Sequence, residues 1–85
     1  MKTITHTITD ELGLHARPAG RIVKLVSGFP GSVQIGTEAK MVDGKRIMGV
    51  MSLSLKQGDT VTITFDGDGE EELANEVMEY LKENL

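Results

Sequence analysis

Four segments of the chain alternate polar and apolar side chains, which is the pattern of strands that bury one face and expose the other. They span residues 2–9, 32–37, 40–42 and 60–65. In the first segment, Ile4, His6 and Ile8 share one face and threonines occupy the other. Because threonine hydroxyls suit a solvated surface, we expect a sheet that is covered on one side only.

Apolar residues spaced three and four positions apart predict helices over residues 16–27 and 69–85. The two apolar faces consist of Ala19, Ile22, Val23 and Val26, and of Leu73, Ala74, Val77, Met78 and Leu81. A third helix, of about two turns, is predicted within residues 46–55 (RIMGVMSLSL), where Gly49 weakens it.

The last predicted helix carries a start signal and a charged face. Asp68 and Glu71 form a D-x-x-E pattern close to a capping box, so Asp68 is expected to help to begin the helix. The charged residues of this helix are expected to form its solvent-exposed face, as in an ordinary amphipathic helix, rather than an interaction tail.

The elements follow the order βαββαβα. Strands with one apolar face and helices with one apolar stripe bury both when the helices pack on one side of the sheet. We therefore predict an α/β (α+β) fold, an open-faced β-sandwich whose threonine-rich face is wet. The chain has 85 residues, of which 39% are apolar, so one domain over residues 1–85 is expected.

Composition and charge exclude several classes of function. The chain has no cysteine, so it can form neither disulfides nor a thiolate site. The two histidines lie on different elements and give no case for a metal, and His6 is expected to be a half-buried packing residue. A net charge of −4 and few aromatic residues argue against nucleic-acid binding. Neither a signal peptide nor a membrane span is recognisable, so we expect a cytoplasmic protein without a cofactor.

The stretch GLHARPAG, which starts at Gly13, places reactive chemistry at a helix start. The glycine allows a sharp turn, and Pro18 fixes the start of the helix, since proline is tolerated only in the first turn. With His15 as the N-cap, Ala16, Arg17 and Pro18 are the first three helical residues. The free N–H groups of such a turn attract anions, and the guanidinium adds donors that suit phosphate oxygens.

An imidazole beside an anion site indicates a phosphate acceptor. Neutral imidazole is a nucleophile, and phosphoryl transfer needs mainly positioning and charge stabilisation. No glycine-rich nucleotide loop or metal site accompanies it, so the chemistry is expected to depend on another protein. From the residues alone, the alternative that His15 only caps the helix and Arg17 is a solvated charge stays equally open.

The stretches GLHARPA, KRIMGVMSL and QGDTVTI together resemble the HPr family, the histidine-containing phosphocarriers of the bacterial phosphoenolpyruvate-dependent sugar phosphotransferase system. The resemblance spans the whole chain. It implies four antiparallel strands and three helices in an open-faced sandwich, which agrees with the element order above. It also implies a phosphoryl carrier that is a substrate of phosphotransferase enzymes rather than a self-contained enzyme.

The resemblance implies a role for each residue that matches a family motif. His15 matches the histidine that takes a phosphoryl group from enzyme I on its δ nitrogen and passes it to enzyme IIA components of sugar uptake systems. Arg17 matches the arginine that meets the phosphate during transfer, and Pro18 matches the proline that opens the helix, which makes Ala16, Arg17 and Pro18 the expected phosphate-binding residues. The positions that match the family's apolar docking surface are Gly20, Ile47, Met48 and Met51. From the residues alone, the two methionines could instead fill gaps in the core.

The chain departs from the family at Arg46, where many members carry a regulatory serine that an HPr kinase phosphorylates. Control by that modification is therefore not expected. Because arginine cannot cap a helix as serine does, Asp43 is expected to take over and lengthen the helix start. Leu12 stands where a small polar residue is common, which could alter the loop beside His15.

The leading function is a monomeric phosphocarrier in transient complexes with enzyme I and enzyme IIA proteins, with catabolite regulators as further candidate partners. Two alternatives stay open. One is an HPr-like paralogue that acts as a regulatory binding module, and the other is a phosphocarrier for a non-sugar phosphotransferase branch.

Overall fold

The computed structural model describes residues 1–85 and has the predicted order of strands and helices. The elements are β1 (Lys2–Thr7), α1 (Ala16–Val26), β2 (Ser32–Gly36), β3 (Met41–Asp43), α2 (Ile47–Met51), β4 (Thr60–Asp66) and α3 (Glu70–Asn84). The predicted bounds are close for every element except α2, which has 5 residues. None of the helices combines the length and the apolar character needed to cross a membrane.

The four strands form one antiparallel sheet in the order β1-β4-β2-β3, so that β1 and β3 lie at its edges. On the outer face, threonines of β1 and β4 lie opposite each other in the pairs Thr3–Thr64, Thr5–Thr62 and Thr7–Thr60. The hydroxyls of Thr7 and Thr60 are 3.1 Å apart, within hydrogen-bond distance. These threonines are exposed or half-buried, which leaves this face of the sheet to solvent.

The inner face of the sheet packs against the helices in one core of 18 buried apolar residues, with no buried polar or charged residue. Ile63 and Phe65 are completely buried because β4 has a strand on each side. The predicted helical stripes supply six residues of this core, namely Ala19, Ile22, Val26, Ala74, Val77 and Leu81. The predicted open-faced sandwich is therefore confirmed.

His6 lies on the inner face of β1 and is half-buried, as expected of a packing residue. Its Nε2 is buried and has no hydrogen-bond partner, which costs about 1–3 kcal/mol of stability.

We expect His6→Ile to raise the free energy of unfolding by about 1 kcal/mol or more in urea denaturation, because no buried polar atom is then left without a hydrogen-bond partner. Thr5→Ile, on the exposed face of the same strand, is the control and should change stability far less. A His6→Ile variant that is no more stable than the wild type would contradict this account.

Helix α2 is shorter than predicted and has no side-chain cap. Arg46 is its N-cap residue and has an extended backbone. The expectation that Asp43 lengthens the helix start is wrong, because its Oδ1 accepts the N–H of Lys45 (2.9 Å) instead. Its Oδ2 lies 3.5 Å from Nε of Arg46. Asp43 thus closes the turn that precedes α2, and the helix begins at Ile47.

Helix α3 begins within one residue of the predicted position, but its capping differs from the prediction. Gly69, with a left-handed φ of 84°, is the N-cap residue and no side chain caps the helix, so the start signal assigned to Asp68 is wrong. Glu70 contacts the preceding turn instead, since its Oε1 accepts the N–H of Gly67 (3.2 Å). Its Oε2 lies 3.0 Å from the Met1 ammonium, and this hydrogen bond holds the pKa of Glu70 below its ordinary value.

Candidate functional site

His15 lies at the junction between the β1–α1 loop and α1. It is the N-cap residue, with an extended backbone (φ −90°, ψ −175°) and no side-chain hydrogen bond to the helix. The loop reaches it through a left-handed turn at Gly13 (φ 65°), whose N–H donates to the Asp10 carbonyl (3.0 Å). The N–H of Leu14 donates to the Leu55 carbonyl (2.9 Å), which ties this loop to the segment after α2. The imidazole is not used for capping and remains 37% exposed.

The first turn of α1 presents free backbone donors beside this imidazole. The N–H groups of Ala16 and Arg17 make no intramolecular hydrogen bond, and the helical ladder starts with the N–H of Ala19 donating to the His15 carbonyl (3.0 Å). Pro18 has no N–H, so its buried ring contributes only by fixing the helix start. No acidic residue lies in this turn. The positive end of the helix dipole is therefore not offset by an acidic side chain of the helix itself.

Asp10 belongs to this site, and sequence reasoning missed it. Its Oδ2 lies 3.9 Å from Nε2 of His15, which is close enough for an electrostatic contact and too far for a hydrogen bond. The same oxygen accepts the N–H of Leu12 (3.3 Å), which fixes the direction of the carboxylate. The signal that could have found it is the aspartate placed three residues before Gly13, a spacing typical of a chain that folds back in a turn.

Asp10→Asn is expected to alter the tautomer of the His15 imidazole. A carboxylate beside Nε2 favours the proton on that nitrogen and leaves the lone pair on Nδ1. Because both side chains are partly exposed, the pair is worth only about 0.2–1 kcal/mol, at most about a fivefold change in the tautomer ratio. The ¹⁵N chemical shifts of the imidazole measure that ratio. Glu11→Gln, with the same charge change on an exposed neighbour, is the control, and equal shifts in both variants would show that Asp10 only closes the loop.

An open cleft of about 480 Å³ lies in front of His15. Arg17 lines the α1 side of this cleft, and Tyr80 and Asn84 line the α3 side. Leu12, which is 71% exposed, also lines it. Sequence reasoning did not find Tyr80 and Asn84, because only the packing of α3 against α1 brings the last helix to this site.

The cleft continues along α1 into a second one of about 580 Å³. Arg17, Arg21 and Lys24 line this second cleft together with Glu83. Three cations and one anion make this surface locally positive in a chain whose net charge is −4. Nowhere in the structure are three or more His, Asp or Glu side chains grouped so that they could hold a metal ion.

Helix α2 presents apolar side chains to solvent next to α1. Ile47 and Met51 are 38% and 37% exposed and Met48 is 79% exposed, whereas Val50 of the same helix is buried. A Cβ on Gly20 would lie 4.0 Å from Cδ1 of Ile47, so the two helices approach each other closely here. The four residues expected to form a docking surface thus lie on neighbouring helices, and Met48 does not fill a gap in the core.

Fold and site together define a small α/β protein with an open sheet face and a histidine at the start of its first helix. A family model described as the "PTS HPr component phosphorylation site" matches residues 2–83. The chain belongs to the HPr family of phosphocarrier proteins.

Individual relatives agree with this assignment. The chain is 42% identical to the phosphocarrier protein HPr of Lysinibacillus sphaericus over 72 residues, which cover 85% of this chain and 82% of the relative. The crystal structure of HPr-C-His from Thermoanaerobacter tengcongensis superposes with a TM-score of 0.89 at 38% identity, over 96% of this chain and 92% of that one. The catabolite repression protein Crh of Bacillus subtilis, described as a dimer with a swapping domain, matches with a TM-score of 0.75 at 33% identity, over 92% and 90% of the two chains.

Proposed function

We propose that this protein accepts a phosphoryl group on His15 from phosphoenolpyruvate through enzyme I, and passes it to enzyme IIA components of sugar uptake systems. The observation that carries this proposal is the position of a partly exposed imidazole at the start of a helix whose first N–H groups have no partner. Membership of a phosphocarrier family supports it.

The proposed step uses Nδ1 of His15 as the nucleophile. Asp10 lies beside Nε2, so a proton held there leaves the lone pair on Nδ1. A phosphorus–nitrogen bond forms as the bond from phosphorus to the donor breaks, and the reverse exchange releases the group to an acceptor. The N–H groups of Ala16 and Arg17 and the Arg17 guanidinium lie where they can stabilise the phosphoryl oxygens, which is the main requirement of such a transfer.

The remainder of the proposal concerns partners. The exposed apolar residues of α2 and the positive surface along α1 are suited to a protein with an apolar patch and acidic neighbours. We place the carrier in the cytoplasm, as a monomer in transient complexes. The donor and acceptor proteins supply the substrates, and this chain acts as their carrier rather than as a self-contained enzyme. Arg46 has no hydroxyl, so phosphorylation at this position takes no part.

Intact-mass measurement tests the proposal directly. With enzyme I, phosphoenolpyruvate and Mg²⁺, the protein should gain about 80 Da, the mass of one phosphoryl group, and acid should remove it. His15→Ala should abolish the gain, whereas His6→Ile, which removes the other histidine, should retain it. The absence of any gain with an active enzyme I from the same organism would overturn the proposal.

A regulatory binding module is the second candidate, and two observations favour considering it. The chain is 33% identical to a protein named for catabolite repression, and Arg46 fixes a positive charge at the start of α2. This candidate predicts a protein partner whose affinity survives His15→Ala. A carrier for a non-sugar branch would instead take up the phosphoryl group and pass it to a different acceptor, which transfer assays with purified acceptors distinguish.

A further inference from the structure

Lys45 makes an unusual pair of contacts for a lysine in a turn. Its Nζ donates to the carbonyl oxygens of Phe29 (2.6 Å) and Gly31 (2.8 Å), and the residue is half-buried. Hydrogen bonds from an ammonium are among the stronger ones in proteins, and both of these are short. The side chain is therefore a fixed link between two loops rather than a solvated charge.

This link joins the end of α1 to the start of α2. Phe29 and Gly31 lie in the loop that leaves α1, and Lys45 lies in the turn that leads into α2. The backbone of this turn is itself fixed, because the N–H of Lys45 donates to Asp43 Oδ1 and the N–H of Gly44 donates to the Val33 carbonyl (2.8 Å). Through the ammonium, the position of the loop that leaves α1 therefore determines the position of the turn that leads into α2.

Helix α2 has few other anchors. It spans 5 residues, has no side-chain cap, and buries only Val50. A helix this short is not stable by itself, so contacts outside it must hold it in place. Of its other apolar side chains, Met48 is 79% exposed and adds little to that anchoring, whereas Ile47 and Met51 are 38% and 37% exposed and are only partly covered.

We infer that Lys45 is a positioning residue that holds the start of α2 against the end of α1. It thereby fixes the apolar surface of Ile47, Met48 and Met51 relative to His15. The part of this inference that concerns docking rests on the proposed phosphocarrier function. The part that concerns α2 does not depend on any partner.

The absence of cysteine allows the ammonium to be removed and restored chemically. A Lys45→Cys variant is alkylated in urea and refolded. With 2-bromoethylamine it regains a lysine-length side chain that ends in an ammonium, and with 1-bromopropane it gains an uncharged chain of the same length. Lys40→Cys, at an exposed position of the β2–β3 turn, receives both treatments as the control.

Hydrogen exchange reports on α2 without a partner. The amides of Val50 and Ser52 donate to the Arg46 and Met48 carbonyls within or beside α2. In the propyl form of Lys45→Cys these amides should exchange about tenfold faster, since the loss of one charge-assisted hydrogen bond is worth at least that factor. The ammonium form should restore the original rates, and the amide of Ile63 in the core should be unaffected.

Phosphoryl transfer reports on docking. The propyl form should show a KM for enzyme I raised about threefold, as expected if the docking-competent arrangement falls to about a third of the population, with kcat unchanged. Unchanged exchange at α2, or equal effects of both alkyl groups, would overturn the whole inference, and faster exchange without a change in KM would overturn the part that concerns docking. Failure of the proposed function is separate, because it appears as a wild-type protein that takes up no phosphoryl group while the exchange experiment still gives its result.

Discussion

Gly13→Ala is expected to lower the free energy of unfolding by about 3 kcal/mol or more, a large share of the total for a domain of this size. The φ of 65° lies in the left-handed region, which costs alanine about 1–2 kcal/mol. The new Cβ would also overlap the Leu55 carbonyl oxygen and lie 2.8 Å from Cα of Lys56. Because these are backbone atoms, the loop has to move and the Leu14–Leu55 hydrogen bond is disturbed.

Gly58→Ala separates the two causes of that loss. Gly58 also has a positive φ, of 93°, but a Cβ there meets no atom within 4 Å. This control therefore measures the backbone strain alone, and urea denaturation should find it clearly more stable than Gly13→Ala. The folded fraction of Gly13→Ala should also accept phosphoryl groups more slowly, since the displaced loop carries His15. Equal stability of the two alanine variants would rule out the contact with Leu55 as a cause.

Arg17→Ala is expected to slow phosphoryl transfer about 100-fold, the usual effect of removing one donor that stabilises transition-state charge. The side chain is exposed and its removal leaves a good helix former, so stability should hardly change. Rapid-quench measurement of phosphoryl transfer, with urea denaturation alongside it, checks both expectations. A transfer rate equal to that of the wild type would show that the guanidinium is only a solvated charge.

Arg21→Ala is the matched control for this variant. Arg21 lies one turn further along α1, is also exposed, and lines the adjoining cleft rather than the one in front of His15. Its removal changes the net charge equally, and a screened surface charge is worth less than about 1 kcal/mol, or about fivefold in rate. If both substitutions slow transfer equally, the positive surface acts as a whole and Arg17 has no specific contact with the phosphate.

The fold was largely predictable because local patterns and global packing agree. Period-two alternation placed Ile63 and Phe65 inward, and both are completely buried. The start of α1 was also predictable, since Pro18 allows few alternatives. The start of α2 was not, because Asp43 accepts from a neighbouring N–H instead of capping, a choice between two local hydrogen bonds that sequence alone does not decide.

From the residues alone, the candidate site was predictable only where its residues are consecutive. His15, Ala16 and Arg17 follow one another at a helix start, and the turn geometry determines how they are presented. Tyr80 reaches the same cleft from α3, and Lys45 reaches the loop after α1, through contacts between distant parts of the chain. Such contacts depend on side-chain directions in the folded protein, which no spacing rule supplies.

All three helices pack on one face of the sheet, and for the proposed phosphocarrier function this arrangement has a kinetic consequence. His15 and α2 are both on the helical side, while the outer face of β1, β2 and β4 carries threonines together with Ser32, Gln34, Gly36 and Asp66, and no histidine. A donor and an acceptor that both need His15 must then compete for one surface and cannot occupy the carrier together. Each complex must dissociate before the next one forms, so dissociation sets an upper limit on flux, and binding tight enough to slow dissociation would slow the relay.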